Sequence, residues 1–204
     1  MKKILLILTL LLSCVWSEED SQWKSYFGVE AGVGLMDIEP AFLLSANFGL
    51  LNAYLLRGMS YGGGILGGWQ KYTSEKVGMR NTLGIRVFGA KATKAGVDEY
   101  KKNEGEVMVD STFYYALDGL FDFVKNGENR FGMSLGFSTD LFQLTLGGGG
   151  GTGFLFHIAS RLGLYAQFDN KIIELMASVP LAGGINFITI GYNSTLTFSY
   201  KYLF

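Results

Sequence analysis

His157 is the only histidine in the 204-residue chain, so it is the first residue to consider for chemistry. A lone imidazole can act as a general base beside a carboxylate, and Asp122 and Asp140 are the candidate partners. Ser160 is the nearest hydroxyl that could serve as a nucleophile, but strand alternation places it on the opposite face from His157. We therefore predict no catalytic residue and no enzymatic activity, and we interpret His157 as structural.

Other chemical motifs are equally weak. Cys14 is the only cysteine, which excludes an internal disulfide and a multi-thiolate metal site. The glycine run at 147–151 lacks the Lys-Ser or Lys-Thr pair of a phosphate-binding loop, so we interpret it as an ordinary loop. We predict no metal and no cofactor. The formal net charge of -1 argues against a nucleic-acid partner.

The secondary structure is predicted most clearly at the end of the sequence. Polar and apolar residues alternate over 194–204, which predicts a strand with one apolar and one polar face. A strand of this pattern ending in an aromatic residue resembles the terminal strand of bacterial outer-membrane barrels. That resemblance implies an assembly signal for the barrel-assembly machinery, formed by Phe198, Tyr200, Tyr202 and Phe204.

The start of the sequence predicts export. Lys2 and Lys3 precede a short apolar run, followed by small and then acidic residues, the pattern of a cleaved signal peptide. We assign residues 1–17 to this signal peptide and residues 18–204 to one barrel domain in the bacterial outer membrane. Lipidation of Cys14, which follows a degenerate lipobox, stays open.

The same alternation recurs along the chain and predicts an all-β, antiparallel, up-and-down transmembrane barrel of eight strands. We predict short periplasmic turns at 73–79, 126–129 and 169–170, and longer external loops at 92–109, 147–153 and 181–193. Residues 37–59 would form a further external loop. The apolar stretch 41–56 within it could instead supply two more strands, so ten strands is the alternative.

Charged residues of both signs share the predicted inward parity. An eight-stranded barrel is just wide enough to be filled by its own side chains, so opposite charges should pair and close it. We therefore predict a filled lumen rather than a general diffusion porin, with low-conductance leakage left open. The inward charges are Glu30, Arg86, Asp118, Asp122, Arg130, Asp140, Arg161, Glu174 and Lys201.

Several segments together resemble the barrel of the Helicobacter-type outer-membrane protein family. They are the Gly-rich strand at 62–72, the Gly-Ile-Arg strand at 83–89, the aromatic-acidic strand at 117–123, the Phe-Gly strand at 131–137 and the Glu-containing strand at 173–181. The resemblance implies a small member, of the size of OmpA-like or OmpX-like barrels. Larger members carry an additional amino-terminal adhesin domain, for which this chain has no room.

We therefore expect a structural or adhesin-like surface role, with a narrow pore for small solutes as the alternative. Expected partners are outer-membrane lipid and lipopolysaccharide, the barrel-assembly machinery, and a host or surface ligand bound through the external loops. Ligand identity and oligomeric state stay open. The contact candidates in the longest polar loop are Asp98, Glu99, Tyr100, Lys101, Lys102 and Glu104.

Overall fold

A computed structural model describes residues 22–38, 55–95, 106–146, 152–183 and 192–204. These residues form eight antiparallel strands that close into a barrel in chain order, with β8 paired to β1. The strands are β1 (Lys24–Ile38), β2 (Leu55–Tyr72), β3 (Val77–Ala95), β4 (Glu106–Asn126), β5 (Asn129–Leu146), β6 (Thr152–Phe168), β7 (Lys171–Gly183) and β8 (Tyr192–Leu203). The predicted fold class is confirmed. The ten-strand alternative is wrong, because the direct β1–β8 pairing leaves no place in the ring for two more strands.

Alternation along each strand separates two surfaces. In β3, Leu83, Ile85 and Val87 point outward and are 39–52% exposed, whereas Thr82 and Arg86 are buried inside. Exposed apolar side chains of this kind occur on all eight strands. Such a continuous apolar belt around a polar interior is the architecture of a barrel that spans a membrane.

The hairpin turns lie together at one end of the barrel. Residues 169–170 connect β6 and β7 as predicted, and the turn predicted at 126–129 is limited to residues 127–128, with Gly127 and Asp169 in the left-handed region at φ 61° and 52°. Glycine and Asp tolerate this conformation, which lets the chain reverse in two residues. The predicted turn at 73–79 is too long, because β3 already begins at Val77 and Thr73 N–H donates to its carbonyl over 2.9 Å.

At the opposite end the strands run further than the predicted loops allow. β3 continues to Ala95 and β4 begins at Glu106, so the predicted loop 92–109 includes strand at both ends. The same holds for 37–59 and 181–193, whereas 147–153 includes strand only at its second end, where β6 begins at Thr152. Residues 1–21, 39–54, 96–105, 147–151 and 184–191 lie outside the described residues, and with them the predicted signal peptide and the six loop contact candidates. No helix that could cross a membrane is found in the described part of the chain.

Candidate functional site: the barrel interior

The nine charges predicted to face the lumen all do so. Eight of them are buried, and the side chain of Arg130 is 11% exposed near the turns. The eight are Glu30, Arg86, Asp118, Asp122, Asp140, Arg161, Glu174 and Lys201. The contacts between these side chains define the candidate site.

Nearest the turns, a cluster forms around Asp122. Arg130 Nη1 donates to Asp122 Oδ2 over 2.5 Å, and the Tyr165 hydroxyl donates to Oδ1. The Arg130 guanidinium also lies 3.7 Å from the centre of the Tyr72 ring and donates to the Glu75 carbonyl over 3.0 Å. Arg130 thus joins the interior to the 73–76 turn and covers this end of the lumen.

One level further in, Glu174 is the centre of a second cluster. Arg80 Nη1 donates to Glu174 Oε1 over 2.7 Å, Ser134 Oγ donates to the same oxygen over 2.9 Å, and Lys201 Nζ donates to Oε2. Arg80, Glu174 and Lys201 are all nearly inaccessible to solvent. The shared carboxylate gives each buried cation an opposite charge in direct contact, which favours keeping these ions away from water.

A third level pairs Asp118 with Arg161. Arg161 donates through Nε and Nη2 to the two Asp118 oxygens, over 3.1 and 3.3 Å, in the bidentate geometry that suits a guanidinium. The guanidiniums of Arg161 and Arg86 lie 5.6 and 4.9 Å from the centre of the Tyr114 ring. The cations of this level are therefore held by a carboxylate and an aromatic face together.

The fourth level contains the lone histidine. Arg86 Nη2 donates to Asp140 Oδ2 over 2.8 Å, and His157 Nε2 lies 3.1 Å from that oxygen. The His–Asp juxtaposition considered from the sequence therefore exists, with Asp140 rather than Asp122. Ser160 lies on the other face, where its hydroxyl donates to the Val179 carbonyl over 3.2 Å. These positions place the Ser160 hydroxyl and the His157 imidazole on opposite faces of the wall.

Among the described residues, three side-chain contacts reach directly across the lumen. β2 and β6 lie four strands apart in the eight-strand ring, as do β3 and β7, so each pair of strands is diametrically opposed. Gln70 Nε2 donates to Gln167 Oε1 over 3.1 Å, and the hydroxyls of Tyr72 and Tyr165 are 3.2 Å apart. The Arg80–Glu174 ion pair joins β3 to β7. At these levels side chains fill the full diameter.

Sequence reasoning missed part of the network. Arg80 and Asp110 are buried in the lumen but lay at the edges of segments interpreted as a turn and a loop. Tyr26, Tyr114 and Tyr165 also point inward and were not among the predicted lumen residues. Strand alternation could have identified Arg80 as a lumen residue, because Arg80 lies an even number of positions from Thr82 and Arg86 and therefore shares their inward face.

The predicted assembly-signal residues lie on the outer face of the barrel. Phe198, Tyr200, Tyr202 and Phe204 are between 40% and 75% exposed. Their placement agrees with the predicted apolar row, and their role in assembly stays a prediction. Within the described ranges, no group of three or more His, Cys, Asp and Glu side chains is arranged to hold a metal ion.

Comparison with known proteins identifies barrels of similar architecture. No family model and no curated protein matches the chain. Among solved structures, it is similar to Ail, the attachment invasion locus protein of Yersinia pestis, at 11% identity over 88% of this chain and 99% of that chain, with a TM-score of 0.43. It is also similar to the N-terminal β-barrel domain of Pseudomonas aeruginosa OprF, at 13% identity over 89% and 100% of the two chains, with a TM-score of 0.35.

The outer-membrane protease OmpT of Escherichia coli shares 10% identity over 91% of this chain and 97% of that chain, with a TM-score of 0.31. Similarities at this level do not transfer an activity. The assignment follows from the strand pairing, the outward apolar belt and the polar interior described above. The protein is an integral outer-membrane β-barrel.

Proposed function

We propose that this small barrel has a structural or adhesin-like surface role, in which a filled lumen anchors external loops in the outer membrane. The observation that carries the proposal is the Arg80–Glu174 ion pair, which spans the lumen between opposite strands at 2.7 Å. A wide aqueous channel would instead keep opposite walls apart. Because the diameter is bridged at successive levels, the interior stabilises the barrel rather than conducting solutes.

Single-channel recording of the refolded protein tests the closed lumen. Heat-modifiable gel mobility confirms folding, and we expect no discrete conductance steps across salts and voltages. Reproducible steps that change when Arg86, Arg161 or Glu174 is neutralised would overturn the closed lumen and assign those charges to a permeation path.

The second candidate is a narrow pore for small solutes, and one feature favours it. Toward the loop end of the barrel, the described side chains that point inward from β8, β1 and β2 are glycines and hydroxyl residues, in contrast to the bulky residues on β3 to β6. Small polar side chains leave more room than arginine or tyrosine. The inward residues concerned are Ser60, Gly62, Gly32, Gly34, Thr195 and Thr197.

For the surface role, we propose partner contact through Asp98, Glu99, Tyr100, Lys101, Lys102 and Glu104, with lipopolysaccharide and a host or surface ligand as partners. A cell-binding assay on a variant lacking residues 98–104 tests this. Lower binding at equal surface levels is expected, and unchanged binding would remove the interaction role while leaving the structural one.

Membership of the Helicobacter-type outer-membrane family is part of the same proposal and rests on the segment order quoted above. We also propose that Phe198, Tyr200, Tyr202 and Phe204 are read by the barrel-assembly machinery. Replacing Tyr202 and Phe204 by alanine should lower the amount of folded protein in the outer membrane, whereas unchanged levels would remove this assignment.

A further inference from the structure

The ring of strands is closed, but the ladder between β7 and β8 stops before either strand ends. Their pairing ends at Ser178 and Thr195, yet β7 continues through residues 179–183 and β8 begins three residues earlier, at 192–194. At the loop end of every other junction of the described barrel, pairing runs until one of the two strands ends. We call residues 179–183 and 192–194 the open seam.

The two edges of the open seam are held in place by their other neighbours. β7 stays paired with β6 as far as Gly183, and β8 stays paired with β1 as far as Tyr192. The unpaired backbone is therefore part of the wall, not of a detached loop. Val179 and Leu181, which point outward here, are 49% and 54% exposed, as is usual for side chains that contact hydrocarbon.

Pro180 lies within this edge and argues against closure by a further strand. Proline has no N–H to donate to a ladder, and a proline at a sheet edge discourages strand addition. Pro180 also lies beside an irregularity in the β6–β7 register, between Ile158 and Ala159. The edge is thus poorly suited to pair with an extended peptide or with the same edge of a second copy.

Immediately inside the seam, the wall carries hydroxyl groups. Gly34 on β1 is level with both Ser60 on β2 and Thr195 on β8, and Thr195 is level with Ser178 on β7. Thr195 is only 4% exposed and Ser60 is fully buried, and among the described residues neither hydroxyl has a hydrogen-bond partner. A buried hydroxyl without a partner costs free energy, so a ligand that supplies one would be stabilised.

From these observations we propose that the open seam is a binding site for one membrane lipid. Its acyl chain lies along Val179, Leu181 and Leu196, and its hydroxyl or ester oxygen reaches Thr195 through the gap. A lipid satisfies both halves of the site, because it is apolar along the edge and carries hydrogen-bonding oxygens at one end. The proposal does not depend on what the external loops bind.

A photoreactive lipid tests the site. The full chain, carrying Cys14→Ser to remove its own thiol, is refolded into phosphatidylcholine vesicles containing a diazirine-labelled phosphatidylcholine, irradiated and mapped by mass spectrometry. We expect adducts to concentrate at residues 179–181 and 194–196, above the level on the rest of the apolar belt. Adducts spread evenly around the barrel would mean that lipid contacts the whole outer surface without a preferred site, which would overturn the proposal.

Two matched disulfide variants test whether the labelling depends on the open seam. Val179 and Ser194 would face each other if the ladder continued by one residue, so oxidised V179C/S194C should hold the gap shut. Oxidised L175C/F198C bridges a position of the same junction that is already paired and is the control. Loss of seam adducts in the first variant alone is expected, and equal labelling in both would overturn the proposal.

Thr195→Val tests the polar end of the site. It keeps the shape of the side chain and removes a hydroxyl that has no hydrogen-bond partner in the described part of the chain, so the barrel should fold as before. Seam labelling should fall about fivefold, the change expected for one lost hydrogen bond. Unchanged labelling would overturn the polar contact, and cross-linked dimers would assign the edge to a second copy instead.

Discussion

Tyr114 and Gly84 lie directly opposite each other on β4 and β3, and the tyrosine ring occupies the space where a Gly84 side chain would be. The pairing recurs inside the barrel, with Tyr26 opposite Gly68 and Tyr165 opposite Gly132. In each case the phenol covers the glycine of the neighbouring strand. Large side chains can therefore lie flat against the wall, which is how a narrow barrel contains both tyrosines and arginines.

Gly84→Ala should destabilise the barrel by about 1–3 kcal/mol, because a Cβ there overlaps the Tyr114 ring and forces a shift in a packed interior. Urea unfolding of the refolded protein, followed by heat-modifiable mobility, measures the change. Gly89→Ala is the matched control in the same strand, since nothing lies within 4 Å of its added Cβ. Equal midpoints for the two variants would contradict the packing role of this pair.

Glu174→Gln should lower the free energy of unfolding more than the substitution of an exposed acidic residue. The change removes the compensating charge for Arg80 and Lys201, both buried, and loss of one partner in a buried ion cluster costs roughly 3–5 kcal/mol. The same unfolding assay measures it. Glu128→Gln is the control, because its 3.3 Å pair with Lys24 is exposed and should contribute less than about 1 kcal/mol. Similar effects at both sites would show that the lumen is hydrated enough to screen its charges.

Sequence reasoning predicted the strand number and the inward set because a strand has a period of two. Glu30 and Lys201 were assigned to the lumen by that period alone, with no knowledge of their partners. Which inward charges pair with each other could not be predicted from the sequence, for a physical reason. Arg80 meets Glu174 only because closure makes β3 and β7 opposite, and strand order does not reveal the stagger that sets which levels meet. The open seam at β7–β8 depends on register in the same way.

The lipid-facing belt predicts a position-dependent penalty for charge. Ile85→Arg places a guanidinium in the middle of the outward apolar row of β3, where it should cost about 2–4 kcal/mol. Phe168→Arg is the control, because Phe168 adjoins the 169–170 turn and the penalty near the interface is about 0–1 kcal/mol. Unfolding in bilayers of defined thickness measures both. A larger penalty at Phe168 would mean that the turn end lies deeper in the bilayer than the strand centre.

Asp118 and Arg161 should show strong coupling in a double-mutant cycle. Asp118→Asn leaves the Arg161 cation buried without its bidentate partner, and Arg161→Met leaves the Asp118 carboxylate buried without its cation. Each single change should therefore lower the free energy of unfolding. In the double variant neither charge remains, so the two costs should not add and the coupling should fall within about 0.5–3 kcal/mol. The Tyr114 ring, which Arg161 overlies, is retained in all variants and limits side effects on packing. Additive losses would mean that each charge is compensated by other groups of the network, and that the pair is not an independent unit of the interior.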